Sequence, residues 1–229
     1  KKSNFSEWYT EALLSGEFID YSKVSGSHIY RPNSFSVWEY IQTYLDKKFK
    51  RDGVKNSYFP LLIPEKLLNK ESKHVEGFSP EVAWVTHAGK SKLKERLAIR
   101  PTSETVMYDC YSKWIRSWKD LPLRLNQWAN VVRWEFKHST PFLRSREFLW
   151  QEGHSVFETE YEADIEVKKI SKMYKDVYEN LLAVPVIEGY KSEKEKFAGA
   201  EYSISLETLM PDGKAIQACT SDRKSTRLN

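Results

Sequence analysis

Residues 131–154 read VVRWEFKHSTPFLRSREFLWQEGH and place four arginine or lysine residues, three carboxylates, two histidines and five large aromatics within 24 positions. A strand that only needed one buried face does not require that set. If Val132 to Phe136 is extended, the period of two puts Arg133 and Glu135 on one face and Trp134 and Phe136 on the other. In the returning run the same arithmetic groups Phe148, Trp150, Glu152 and His154, so that an aromatic wall, a carboxylate and an imidazole share one surface. Arginine presents a planar fork that matches phosphate oxygens, and a phenylalanine ring can stack on a purine. Arg133, Arg144 and Arg146 would then surround a triphosphate, with Phe148 under the base. A solvated sheet face on which arginines pair with carboxylates accounts for the same spacing. The spacing alone does not choose between these two.

A second group, RPTSE at Arg100–Glu104, precedes a helical pattern. Thr102 or Ser103 can cap that helix, and Glu104 in its first turn suits the macrodipole. The sharper alternative is that Thr102 and Glu104 accept hydrogen bonds from a cationic amine. The chain contains neither GxxxxGK[ST] nor GxGxxG, which excludes a P-loop or Rossmann loop as the source of phosphate binding. A nucleotide bound here would lie on a sheet.

The elements that must position these groups alternate between helices and strands without repeats or low-complexity tracts. An early helix over 6–14 stops at Gly16. From Ser34, read as a cap, Trp38, Ile41, Leu45 and Phe49 recur at helical spacing, with Gly53 beyond the end. VKNSYFPLLIP then suits a strand, but Pro60 removes a ladder donor and confines it to an edge, a bulge or a subunit contact. A short strand over 96–100 leads into the helix carrying Val106, Tyr111 and Ile115. Thr159 and Glu162 form a TxxE capping box for a helix through Ile170, Met173, Tyr174, Val177 and Leu181 that ends near Pro185. LRLNQWANVVRWEF and FLWQEGHSVF are expected to form one antiparallel hairpin, and YSISLETLMPDGKAIQACT a second one around PDGK. Strands clustered as hairpins outside a βαβ rhythm predict an α+β domain on a largely antiparallel sheet.

Composition sets the outer bounds. With 229 residues and 40% hydrophobic content, one sizeable core and a single compact domain are expected. Mean hydropathy is -0.63, and no apolar run approaches the ~20 residues of a membrane helix, so the expectation is an intracellular protein with no membrane partner. Cys110 and Cys219 belong to no CxxC or Cys/His cluster, which argues against a disulfide framework or structural zinc. The net charge is +4, of which the terminal DRKSTRLN contributes +2. That balance is no evidence for nucleic-acid binding in itself.

HVEGFSPEVAWVT, RPTSETVMY, LNQWANVVRWEFKH, SREFLWQEGH and EKEKFAG, together with the spacing of Arg144, Phe148 and Glu152, resemble the catalytic domain of class II aminoacyl-tRNA synthetases, and within them the archaeal and eukaryotic prolyl type. The resemblance runs from about Phe5 to Thr220. It implies an antiparallel sheet of six or seven strands flanked by helices, a cytoplasmic homodimer, and ATP, proline and tRNA(Pro) as substrates. Residues 34–64 would be the first class II motif, with Pro60 at the dimer interface, and VVRWE through Glu152 the second. The resemblance further implies that Arg133 touches the α-phosphate and the amino-acid carboxylate, that Glu135 belongs to the nucleotide motif, that Arg144 reaches the γ-phosphate and that Phe148 stacks on adenine. Thr102 and Glu104 would hold the proline imino group, and Trp150, Glu152, His154 and Phe197 would shape the pocket around its ring. Gln217 and Thr220 match positions near ATP. Magnesium (Mg2+) is implied by triphosphate chemistry rather than by a ligand cluster.

The resemblance breaks after CTS, where the family continues with two histidines and this chain reads DRKSTRLN, with Asp222 in place of a pocket histidine. The third class II motif is not found. Catalytic-domain sequence is therefore expected over 1–220 and a non-native tail over 221–229, leaving a ligase fragment or a non-catalytic synthetase-like binding or regulatory module as the two functional readings. The interval before Gln217 is too short for the large inserted editing domain of bacterial-type relatives.

Overall fold

The computed structural model describes residues 4–72, 82–135, 138–197 and 199–224. Most of HVEGFSPEVAWVT, Phe136 and Lys137 of the VVRWEFKH run, Ala198 of EKEKFAG and residues 225–229 lie outside the described residues. The chain divides into two compact units, residues 4–53 with 159–224, and residues 54–158.

The first unit opens with helix α1, Phe5–Ser15, closed at Gly16, where a Cβ would lie 2.8 Å from the Phe18 ring. An antiparallel ribbon of β1, Ile19–Tyr21, and β2, His28–Tyr30, leads to α2, Pro32–Arg51. Pro32 suits the first turn of a helix, where no backbone donor is needed. Ser34 is not the cap that its sequence position suggests. Arg31 takes that place, and the Ser34 hydroxyl lies inside the helix, 2.6 Å from the Phe18 carbonyl and 3.0 Å from that of Arg31.

In the second unit the chain forms β3, Lys55–Asn56, β4, Leu62–Pro64, α3, Glu65–Ser72, β5, Trp84–Ala88, β6, Ser91–Ile99, α4, Glu104–Trp114, β7, Leu123–Val132, and β8, Glu147–Val156. VKNSYFPLLIP is thus two short strands rather than one. The first pairs in parallel with β7, the second antiparallel with β6, and exposed Pro60 lies in the link, where its missing donor costs no ladder bond. The strand expected near Arg96 extends back to Ser91 and pairs with β5, a partner that the sequence reading missed. β7 and β8 form the expected hairpin in unbroken register from Leu123↔Val156 to Val132↔Glu147. β7 stops at Val132, but the Arg133 N–H donates to Arg146 O, the next pair of the same register, so Arg133 keeps its place on the hairpin.

Two three-stranded sheets result, in the orders β3-β7-β8 and β4-β6-β5. Phe59, Met107, Tyr111, Leu125 and Val156 pack into one apolar cluster between α4 and the first of them. The two sheets are tied by Arg100, which is 1% exposed. Its Nε and Nη2 donate to the Asn130 carbonyl and side-chain oxygens at 2.7 and 2.8 Å, and its Nη1 donates to the Phe59 carbonyl at 2.9 Å. The Arg100 backbone bridges the same gap, donating to Leu61 O and accepting from Val132 N. A buried guanidinium on neutral acceptors is tolerable here because each of its three nitrogens has an acceptor.

The chain then returns to the first unit through α5, Glu160–Asp176, whose Thr159 and Glu162 make the expected capping box, followed by one π-helical turn, Val177–Leu181. Tyr44 and Lys48 of α2 bond to Asp176 at 2.8 and 2.6 Å and hold α2 to α5. Three strands follow, β9, Ile187–Tyr190, β10, Ala200–Leu209, and β11, Ala215–Lys224, in the order β11-β10-β9. The β10–β11 turn is the expected PDGK, with Gly213 at φ 84. β11 runs past Thr220 to Lys224, and Arg223, 6% exposed, lies 3.2 Å from Asp164. All strand pairing outside β3–β7 is antiparallel, which is the α+β class expected, but the described strands are spread over three three-stranded sheets and a ribbon rather than a single sheet of six or seven. Among the described residues no helix is long and apolar enough to cross a membrane.

Replacing Arg100 by leucine leaves buried carbonyls unpaired and is expected to destabilise the chain by about 3 kcal/mol or more. Thr159→Ala removes one cap and is expected to cost about 1 kcal/mol. Urea unfolding of the two variants checks both values and their order.

Candidate active site

Four side chains alternate along one face of β8, and the structure brings them together as expected: Phe148, Trp150, Glu152 and His154. The Phe148 and Trp150 rings meet edge to face at 5.9 Å. Glu152, 6% exposed, is the centre of a polar cluster. It accepts from the Ser103 backbone N–H at 3.0 and 3.1 Å, from the Thr102 hydroxyl at 3.0 Å and from Gln127 Nε2 at 3.3 Å. His154 Nε2 lies 3.6 Å away. Burial by itself raises the Glu152 pKa, but the His154 ring, the Ser103 side chain and the Ser103 N–H outweigh it and hold the carboxyl below its usual 4.5. The carboxylate also sits at the N-terminus of α4, where backbone donors and the helix dipole both favour negative charge.

The two residues proposed as caps of α4 behave differently from the sequence reading. Ser103 stands at the cap position but makes no side-chain cap bond, and its hydroxyl instead accepts from Gln127 Nε2 at 2.6 Å. Thr102 accepts from the Glu104 N–H at 3.3 Å while donating to Glu152. Its hydroxyl is therefore occupied within the protein and acts as a bracket between helix and strand. Glu104 occupies the first turn of α4 and is half-buried.

Arg133 follows the end of β7 and is fixed at two points. Its backbone N–H donates to Arg146 O at 2.7 Å, and its Nε donates to Pro101 O at 3.0 Å. The guanidinium carbon lies 5.0 Å from the Trp150 ring centroid and 5.7 Å from that of Phe148. Burial lowers its pKa, while the fields of Glu135 and Glu152 act the other way. Among the described residues its two terminal nitrogens make no hydrogen bond, and the buried indole N–H of Trp150 has no partner either. A buried N–H without a partner, beside half-buried guanidinium donors, is what a bound acceptor would satisfy. Glu135 is exposed just beyond Arg133. Arg144 is exposed in the connecting loop, where its N–H closes a turn on Thr140 O at 2.8 Å.

Phe197, Gln217 and Thr220 belong to the other unit. The Phe197 ring lies 3.9 Å from Lys224 Nζ, Gln217 accepts from Lys191 and pairs with Glu207 in the ladder, and Thr220 pairs with Ser205. Asp222 accepts from the Ser203 hydroxyl. Both cysteines are free thiols.

Sequence reasoning missed Gln127 and Tyr108. Gln127 is wholly buried, accepts from the Phe59 N–H and donates to both Ser103 and Glu152. Tyr108 lies edge-on to His154 at 5.3 Å, with its hydroxyl 3.3 Å from Nδ1. Asn126 and Gln127 are adjacent amides in mid-strand, which was the available signal, because a strand interior admits such groups only when each is satisfied. Along this face Glu152 and His154 lie at one end, and the unspent Arg133 donors lie beside the Phe148 and Trp150 rings at the other.

The sequence pattern of the tRNA synthetase class II core domain (G, H, P, S and T) matches residues 84–229. A proline–tRNA ligase of Alkaliphilus oremlandii is 56% identical over 95% of this chain and 45% of its own length. The cytoplasmic proline–tRNA ligase of Arabidopsis thaliana is 56% identical over 96% of this chain and 42% of its own. The crystal structure of prolyl-tRNA synthetase from Cryptosporidium parvum, complexed with halofuginone and AMPPNP, superposes with a TM-score of 0.92 at 53% identity, over 96% of this chain and 45% of that one. The chain thus spans less than half the length of these relatives. With the hairpin, the α4 N-terminus and the free guanidinium donors in place, the conclusion is that this chain belongs to the class II tRNA synthetase core-domain family.

Proposed function

We propose that this chain carries the proline-activating part of a proline–tRNA ligase, which joins proline to ATP as prolyl-adenylate and passes it to tRNA(Pro). The observation that supports this best is Arg133, anchored through Nε and its backbone but with two terminal nitrogens unspent beside Phe148 and Trp150. In this reading one proline carboxylate oxygen attacks the α-phosphorus in line. The new C–O–P bond forms as the bond to pyrophosphate breaks, and the terminal ribose hydroxyl of tRNA(Pro) later displaces AMP. Arg133 aligns nucleophile and electrophile and neutralises charge that builds on the phosphorus. Phe148 offers its ring to adenine, Arg144 reaches from its loop to the γ-phosphate, and Glu135 serves the same nucleotide motif.

At the other end, Glu104 and the Glu152 field hold the imino cation, Thr102 braces Glu152, and Trp150 and His154 bound the ring; for Phe197, Gln217 and Thr220 the reading rests on the family resemblance alone. Among the described residues no three or more His, Cys, Asp or Glu side chains form a metal cluster, so magnesium would arrive on the nucleotide's own phosphate oxygens. The same reading makes the parent protein a cytoplasmic homodimer with Pro60 at the contact.

Proline-dependent ATP–pyrophosphate exchange in an enzyme containing this chain tests the proposal. Arg133→Ala is expected to reduce exchange by about 10²–10³-fold or more with little change in melting temperature. Absence of exchange in the unmodified enzyme would favour a non-catalytic module. Glu152→Gln and Gln127→Leu are expected to raise the proline KM by about tenfold or more, since both disturb the carboxylate that holds the amine end. Because the Glu152 pKa is depressed, its contribution to stability and proline binding is present above 4.5 and is lost only as pH falls below that value. Calorimetric titration with proline, alanine and serine across pH checks this, with proline preferred by about tenfold or more.

A further inference from the structure

The β5–β6 hairpin carries charge in a pattern that its own folding does not explain. Along β6, Lys92, Lys94 and Arg96 fall on the exposed face at period two, while Leu93, Glu95 and Leu97 are half-buried on the other. Lys90 extends the row from the turn, next to Gly89 at φ 59, and exposed His87 stands across from Lys92 in the register. Residues 84–99 hold four lysine or arginine residues and one carboxylate, a net of +3, against +4 for all 229 residues. With the +2 of DRKSTRLN, this leaves a net of −1 for all other residues, so the hairpin is a local concentration of positive charge.

The carboxylates that reach this hairpin are already engaged. Glu65 binds Arg96, whose guanidinium lies 4.5 Å from the Trp84 ring centroid, and Glu95 accepts from the Lys66 N–H at 2.9 Å. Among the described residues Lys90, Lys92 and Lys94 have no ion-pair partner. Like charges two apart on one strand face repel, with no packing gained in return. Their spacing of about 6.6–6.8 Å makes a line rather than a concave pocket, and a line of cations fits a polyanion better than a single small anion.

We propose that Lys90, Lys92 and Lys94 form a docking row for the phosphate backbone of RNA; that the RNA is a tRNA rests on the reading under Proposed function. Lysines act there as flexible point charges, so the row contributes affinity and register without reading bases.

The test is binding of a tRNA(Pro) transcript to this chain, followed by fluorescence anisotropy from about 50 to about 200 mM salt, a range over which phosphate contacts dominate the change in affinity. The K90Q/K92Q/K94Q variant is expected to bind about tenfold or more weaker at low salt, with a log–log salt slope shallower by about two to three. The matching Lys→Arg variant should restore the slope. K23Q/K47Q/K168Q, which removes equal charge elsewhere, should leave it unchanged. Equal slopes in the two glutamine variants, or no salt-dependent binding by the unmodified chain, would overturn the proposal. Pyrophosphate exchange needs no tRNA and should be unaffected in the K90Q/K92Q/K94Q variant, so failure of the activation reading shows separately as absent exchange in the unmodified enzyme.

Discussion

The geometry of the candidate site depends on how one buried carboxylate is kept charged. Glu152 is nearly inaccessible to water, a position that ordinarily drives a carboxyl toward its neutral form. It stays ionised because the N-terminus of α4 supplies a backbone N–H and a hydroxyl, β7 supplies an amide and β8 itself supplies a neighbouring imidazole. The same bonds fix helix to strand. Through Gln127 the clamp extends to the Phe59 backbone and the apolar cluster beside it. Packing and electrostatics are thus one constraint, since displacement of α4 would both open the core and strand a charge.

Two arginines show how environment separates structure from function. Arg100 engages all three of its nitrogens with carbonyl and amide oxygens and serves as a strut between two sheets. Arg133 commits only Nε and holds its remaining donors against aromatic faces. The residue type is the same, but the partners decide which guanidinium is available to a ligand. The unpaired Trp150 N–H beside it points the same way. Charge is likewise divided by role, with the Arg133 guanidinium held against aromatic rings at the site and an unneutralised lysine row on the β5–β6 hairpin.

Several features were legible from local pattern alone. The Thr159–Glu162 box, the PDGK turn and the β7–β8 hairpin are short-range devices whose residues lie close in sequence, and each formed as read. The face shared by Phe148, Trp150, Glu152 and His154 followed from period two and held because β8 is regular throughout. The same arithmetic reaches one residue past the end of β7, where the Arg133 N–H bonds to Arg146 O in the hairpin's register and the guanidinium lies beside the Phe148 and Trp150 rings. Ser34 and Ser103 misled as caps because each hydroxyl found a tertiary partner instead.

By itself the sequence determined four of the helices, the β7–β8 and β10–β11 hairpins, the α+β class and the family, because these rest on local propensity, on periodicity and on long runs of matching residues. Only the tertiary structure decided which donors remain unspent, that Gln127 and Tyr108 join the site, and that VKNSYFPLLIP splits between two sheets. The physical reason is that hydrogen-bond satisfaction of a buried group depends on partners tens of residues away, as between Glu152 and Ser103 or between Arg100 and Asn130. No pattern within one element can encode them.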